Sequence, residues 1–393
     1  MTPIDVAKAR ATTPGCERVL HLDHAGASLM SQPVLDAVVA HLRRSAEVGG
    51  YRAAAEAAPA LDDTYGALAT LLGCDTGEVA LTDSATRAWT SAVYALPLTQ
   101  RDQIITTRSE YGSNAIALLQ LRARSGCELV LVDDDEAGAV DLDALARALE
   151  HGSTAFVSLT HVPTQSGLVN PAAEVGRLCR EAGTTFVLDA CQSAGQLPLD
   201  VADLGCHVLT ATGRKFLRGP RGVGVLYVDH DLAVRLEPIV LDMFSATWVE
   251  PGRYEVREDA RRFELWESDV AGRIGLGVAV WEALDRGVEE IAARIGMLAT
   301  SLRDRLQDLD GVTVRDRGHH LCAITTFTVD GIPAQQVADR LRGRDVNVSV
   351  AVASSAQHDL PHRGLTSVVR ASVHYLTTTE ELDRFIETLA ELT

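Results

Sequence analysis

The chain has 393 residues, 46% of them hydrophobic and 23% charged, with a formal net charge of −18. This length exceeds one minimal domain and suits a large domain with a smaller companion, and the composition excludes a mainly disordered or fibrous protein. The acidic balance argues against a nucleic-acid partner, because a phosphate backbone is held by surplus Lys and Arg.

From the amino terminus, residues 1–16 carry no apolar run of the secretory kind, and no stretch of the chain reaches membrane-spanning length, so neither export nor insertion is expected. Residues 33–47 read as a helix ended by Gly49 and Gly50. Beyond residue 79, short β-branched runs alternate with amphipathic stretches. Strands are expected at 79–82, 103–107, 128–132, 154–160, 185–189, 207–212 and 223–228. Helical patterns at 113–124, 141–150 and 171–182 fall between several of them. Such crossovers imply an α/β fold with a mostly parallel central sheet sandwiched by helices. A long helix rich in Ala, Gly and Val covers 270–286, and another helical run covers 291–309. Strands near 323–329, 346–352 and 369–373, with helices near 333–342 and 379–392, read as a smaller α+β domain. The expected division is an N-terminal segment (1–20), a large domain (21–270), a linking helix (271–290) and a small C-terminal domain (291–393). Seven scattered cysteines without CxxC pairs suit reduced thiols, and hence a cytoplasmic protein.

The chemistry concentrates at two strand ends. The 185–189 strand closes on Asp189, followed by Ala190, Cys191 and Gln192. A carboxylate at the carboxyl end of a parallel strand lies where such sheets bind ligands, although a helix cap or turn is the commoner use of an isolated Asp. Further along, the next strand ends in Thr212, Gly213, Arg214 and Lys215. Taken alone, Lys215 reads as a solvated surface charge. Together the two ends supply what pyridoxal 5′-phosphate (PLP) needs, namely a lysine for a Schiff base and a carboxylate that keeps the pyridine nitrogen protonated.

The order of these motifs resembles the class V aminotransferase family of fold-type I PLP enzymes, which includes cysteine desulfurases, isopenicillin N epimerases and the C–S lyases of ergothioneine biosynthesis. The resemblance spans nearly the whole chain. It implies that Lys215 is the Schiff-base lysine, that Asp189 partners the pyridine nitrogen and that Gln192 bonds the phenolic oxygen. Ser84, Ala85 and Thr86, which open a helical stretch after the 79–82 strand, match the phosphate site, where backbone NH groups and the helix dipole favour an anion. An ordinary N-cap is the alternative reading of Ser84. Thr212 and Arg214 match positions that complete the phosphate site, with a surface ion pair as the alternative for Arg214. Tyr111 matches the aromatic residue stacked on the ring, against a core or turn tyrosine, and Thr164 matches a position where relatives often place Asn near the cofactor. Arg370 matches the arginine that grips the substrate α-carboxylate, for which a guanidinium fork is suited. His24 and Ala25 fall in a loop expected to contact substrate. Trp266 and Glu267 stand where relatives carry a Gly-Thr pair that reaches a neighbouring phosphate, and that contact is not carried over. No metal site is expected.

A small-molecule amino-acid substrate follows, with a homodimer whose active sites lie near the interface. Desulfurases need a mobile cysteine shortly before the carboxylate-binding arginine, and no Cys follows Cys322. Persulfide chemistry is therefore disfavoured. Elimination, racemisation, transamination and decarboxylation remain. The resemblance of segments 46–51, 213–222 and 346–355 to ergothioneine-type C–S lyases favours β-elimination from a cysteine S-conjugate or its sulfoxide. A non-catalytic binding protein is opposed by the intact Asp189, Gln192 and Lys215 set.

Overall fold

The computed structural model describes residues 4–392, so the first three residues of the expected N-terminal segment lie outside the described residues. Seven strands form the central sheet: β1 (Val79–Thr82), β2 (Asp102–Thr107), β3 (Glu128–Val132), β4 (Ser153–Thr160), β5 (Thr185–Asp189), β6 (Val208–Thr212) and β7 (Gly224–Val228). Their spatial order is β1-β7-β6-β5-β4-β2-β3. Pairings among β2 to β6 are parallel, whereas β7 runs antiparallel to both β6 and β1. The expected α/β fold with a mostly parallel sheet is thus observed.

Alternation along each strand explains the layers. In β5, Phe186 and Leu188 enter one apolar core while Val187 enters another on the opposite face. A strand covered on both faces shows the continuous apolar run seen in the sequence. Helices Gly112–Ser125, Leu142–Glu150 and Ala172–Glu181 make the crossovers, each within a few residues of its expected bounds. A separate four-stranded antiparallel sheet joins Val312–Val314, Ile324–Val329, Ser367–Ser372 and Ser349–Val352. Helices Val270–Arg286 and Val288–Gln307 lead into it.

Four features depart from the sequence reading. Segment 346–352 is two strands, because Val346–Asn347 pairs in parallel with Leu20–His21 while Ser349–Val352 pairs with Ser367–Ser372. Leu20 and Leu22 accordingly pack in the C-terminal core with Ile324 and Val369. Gly49, at φ +88°, ends helix Gln32–Val48, but Gly50 opens a new helix, Gly50–Glu56, rather than extending the stop. A hairpin, Ala246–Glu250 with Arg253–Val256, and helix Ala58–Leu72 were not anticipated.

The outer edge of β1 is sealed by a buried ion pair. Glu264 accepts from Leu81 N at 2.9 Å, from the Tyr65 hydroxyl at 2.7 Å and from Arg273 Nη1 at 2.7 Å. Arg273 Nη2 in turn donates to Leu81 O at 2.9 Å. Side chains thereby satisfy both backbone groups that an edge strand leaves open, and they tie the strand to helix Val270–Arg286. Removing one partner of a buried pair strands the other charge, so Glu264→Ala is expected to lower unfolding stability by about 3–5 kcal/mol. Urea denaturation followed by circular dichroism measures this, and a loss below about 1 kcal/mol would contradict the account.

Candidate active site

The carboxyl ends of β1, β2, β4, β5 and β6 converge on a cavity of ≈ 210 Å³. This is the crevice where parallel sheets present loop residues to a ligand. Among the described residues, ten of the thirteen predicted from sequence line it: Lys215, Asp189 and Gln192 at its floor, Ser84, Ala85 and Thr86, Tyr111 and Thr164, and Thr212 and Arg214. Asn114, Thr160, Cys191 and Arg221 line it as well and were missed. Asn114 was hidden within an ordinary amphipathic helix, and Cys191 was given no role although it stands between Asp189 and Gln192. Arg221 fell within segment 213–222, which the sequence reading used only as part of a resemblance.

Lys215 is 7% exposed. Burial pushes its ammonium below the usual lysine range, with Arg214 and Arg370 adding repulsion while Cys191 and Asp189 pull partly back. Desolvation disfavours the charged form and so raises the fraction of free amine available as nucleophile and proton acceptor. The loop that follows is held from below. Phe216 stacks on His374 with ring centroids 5.9 Å apart, and His374 Nε2 donates to Phe216 O at 3.0 Å. Arg218 sits at φ +63°, a conformation uncommon outside glycine, and is retained there by bonds to Leu29 O, Thr13 Oγ1 and the Tyr375 hydroxyl.

Asp189 Oδ2 accepts from Asn114 Nδ2 at 2.8 Å, and its Oδ1 accepts from Cys191 N at 2.9 Å. Burial, reinforced by Asp189, pushes the Cys191 thiol well above the usual cysteine range. It therefore stays protonated, the unreactive form. Gln192 donates from Nε2 to Ala25 O at 3.0 Å, and its buried Oε1 has no protein partner.

Ser84 caps helix Ala85–Val93 by accepting from Arg87 N at 3.2 Å. The strand behind it comes unusually close: a Cβ on Gly224 would stand 2.3 Å from the Ser84 carbonyl carbon. Only a residue without a side chain lets β7 and this helix start approach so near. Arg214 donates from Nη1 to Gly26 O, and Ser28 N donates to Arg214 O at 2.8 Å, which joins the loop 23–28 to the lysine turn.

Arg370 lies just behind the cavity wall. Its Nε donates to Ser349 Oγ at 2.9 Å, its Nη2 pairs with Asp23 Oδ1 at 3.2 Å and its Nη1 reaches Thr164 O at 3.4 Å. His24 and Ala25 do not line the cavity. Ala25 contributes backbone only, donating from N to Ser372 Oγ at 2.9 Å and accepting from Gln192. His24, 1% exposed, is packed between His21 and His374 at centroid distances of 4.7 and 4.8 Å. The loop faces inward because its flanking Leu20 and Leu22 are anchored in the C-terminal core, which the local sequence does not reveal.

These residues fit PLP. A buried amine and a held carboxylate line the same cavity, a buried amide oxygen there lacks a partner, and helix Ala85–Val93 begins at its wall with Ser84 as N-cap.

The histidines beneath the site give a pH dependence of a definite sign. Burial lowers His374 to about 3, with Arg218 adding repulsion, and burial alone lowers His161 to about 4. Both values lie below the 6.5 of the unfolded chain. A depressed folded value means that the unfolded state binds more protons in the window between the two, so stability is intact above about pH 6.5 and falls as pH drops towards the folded values. Denaturation midpoints recorded from pH 7.5 to 4 are expected to decline, with a shallower decline in His374→Gln. Equal slopes in the two proteins would count against it.

The Aminotransferase class-V family profile matches residues 20–385. A probable hercynylcysteine sulfoxide lyase of Mycobacterium tuberculosis (strain CDC 1551 / Oshkosh) is 34% identical, over 95% of this chain and 90% of that protein. A probable cysteine desulfurase of Methanothermobacter thermautotrophicus is 26% identical, over 95% of this chain and 94% of that protein. In fold, the apo cysteine desulfurase of Thermococcus onnurineus NA1 superposes with a TM-score of 0.92 at 24% identity, covering 100% of this chain and 99% of the other. The chain belongs to the class-V aminotransferase family and is one of its PLP-dependent enzymes.

Proposed function

We propose that the protein is a C–S lyase, which removes the α-proton of a cysteine S-conjugate, or of its sulfoxide, and expels the β-sulfur. The observation that carries this reading is a buried lysine amine lining a cavity whose one lining thiol among the described residues, Cys191, is held protonated by burial and by the adjacent Asp189. Cys322, the last cysteine of the chain, is 2% exposed and burial pushes its thiol up to about 12. Attack on a substrate sulfur requires an accessible thiolate. The 34% identity to a protein named as a sulfoxide lyase supports the same choice.

When bound, PLP supplies an electron sink for the pair left at the substrate α-carbon. In this reading Asp189 holds the proton on the ring nitrogen, and Gln192 orients the ring from its phenolic side. Ser84, Ala85 and Thr86, with Thr212 and Arg214, bind the phosphate, while Tyr111 covers one ring face and Thr164 flanks it. Arg370 takes the α-carboxylate: Ser349 engages its Nε, Asp23 its Nη2 and Thr164 O its Nη1, which leaves one hydrogen on each Nη. Gripping the carboxylate turns the α-C–H bond towards Lys215, whose amine accepts the proton at Nζ. The electron pair of the C–S bond departs with sulfur as a thiolate or sulfenate, and the three-carbon remainder hydrolyses to pyruvate and ammonia.

A panel of S-substituted cysteines, with and without sulfoxide, tests this reaction. Pyruvate and a sulfur product are expected in equal amounts. Lys215→Ala should lower kcat by about 10³-fold or more, and Arg370→Ala should raise KM by about tenfold or more. Carbon dioxide without pyruvate, or transfer of the amino group with no sulfur released, would sink the elimination reading.

A homodimer in the cytoplasm completes the proposal. Segment 239–266 exposes Ile239, Met243, Trp248 and Trp266, and Trp266 N donates to Asp242 Oδ2 at 2.7 Å, which brings Trp266 beside the turn that carries Met243. Exposed apolar surface of this kind suits a protein interface. Light scattering should return twice the mass of one chain, and Trp248→Glu with Met243→Glu should shift it towards the single-chain mass. A monomer in the unmodified protein would refute it.

A further inference from the structure

Glu110 has no part in the roles assigned above, yet it is 3% exposed beside the cavity. Its Oε1 accepts from Tyr111 N at 2.8 Å, Asn114 Nδ2 at 3.1 Å and Thr160 Oγ1 at 2.6 Å. Its Oε2 accepts from Thr106 Oγ1 at 2.8 Å and Ser158 Oγ at 2.7 Å. All five partners are uncharged, an arrangement that suits a carboxylate, which only accepts. Burying a carboxylate without a cation is costly, and a polar plug between β2 and β4 would need no charge.

The connection to the site runs through a single amide. Asn114 Nδ2 carries two hydrogens; one goes to Glu110 and the other to Asp189 Oδ2 at 2.8 Å. Two carboxylates on one amide group require the NH2 end to face both, because the carbonyl end would repel them. With Cys191 N on its other oxygen, Asp189 is held at both ends in a cavity that Asn114 also lines. Glu110 thus fixes Asn114, Asn114 fixes Asp189, and two negative charges stand in series behind the position assigned to the ring nitrogen.

We propose that Glu110 is a positioning residue which, through Asn114, locks the Asp189 carboxylate towards the cofactor ring and adds a second negative charge that keeps the ring nitrogen protonated. This rests on the reading of Asp189 as the partner of that nitrogen. A positive ring repels the proton on the Lys215–cofactor link, so weakening the ring's protonation lets that link keep its proton to higher pH.

The test is a pH titration of the visible absorption band of the holoenzyme, together with the dissociation constant of PLP on reconstitution, for the unmodified protein, Asp189→Asn, Asn114→Ala, Glu110→Gln and the double variant Asn114→Ala/Asp189→Asn. Asp189→Asn should raise the midpoint, and Asn114→Ala and Glu110→Gln should each raise it by about half to one pH unit, a threefold to tenfold change in proton affinity. The double variant should match Asp189→Asn alone. If Glu110→Gln fails to fold, Asn114→Ala and the double variant decide the matter. A midpoint unmoved in natively folded Asn114→Ala, or a further rise in the double variant, would overturn the proposal. Should Asp189→Asn itself leave the midpoint unmoved, the underlying assignment of Asp189 falls instead.

Discussion

An amine held out of water is the constraint on which the rest of this structure depends. Lys215 has to be buried enough to lose its charge readily, yet it must stay aimed at a cavity that a ligand can enter. A flexible surface turn meets neither condition. The fold meets both by placing the lysine just beyond β6, one strand from the edge pair β7 and β1, and by packing Phe216 and Arg218 beneath it. The anchors come from both ends of the chain: His374 and Tyr375 from near the C-terminus, Thr13 and Leu29 from the first thirty residues. The lysine turn is therefore a junction, and disorder in either terminal region would release it.

The same logic accounts for the N-terminal loop. Leu20–His21 pairs with Val346–Asn347, Asp23 holds Arg370, Ala25 holds Gln192 and Gly26 holds Arg214. One short segment thus braces three of the residues assigned to cofactor or substrate. Its backbone carbonyls do much of this, which is why side-chain identity at positions 24 and 25 signals little.

Legibility in the sequence followed the physical origin of each feature. Strand β5 and its terminal Asp189 were readable because a strand buried on both faces must be apolar throughout, and the polar residue that ends it stands out. Helix Val270–Arg286 was readable from its unbroken small and apolar pattern. Segment 346–352 misled because one β-branched run serves two partners, and pairing is not written in local composition. Glu110 and Asn114 were invisible for a similar reason: a buried acid and an exposed acid look alike until five donors are seen around one of them. His24 was misplaced because a histidine in a polar loop resembles a substrate contact, whereas its neighbours in space are two other histidines.

The choice among reactions on a shared scaffold narrows to the stretch between Val352 and Arg370. That stretch lies against the loop carrying Tyr111: a Cβ on Gly112 would stand 2.7 Å from Ser355 O. A group offered from here is thus beside the residue assigned to cover the ring. Ala353, Ser354, Ser355 and Ala356 occupy its first turn, and Ser355 spends its hydroxyl on Val352 O at 2.8 Å. A serine hydroxyl does not replace a thiolate as an acceptor of sulfur, since its oxygen is far less nucleophilic at neutral pH. In the proposed elimination, sulfur released at this site has water or a diffusible acceptor as its next partner, and the chain's own contribution ends with the proton assigned to Lys215.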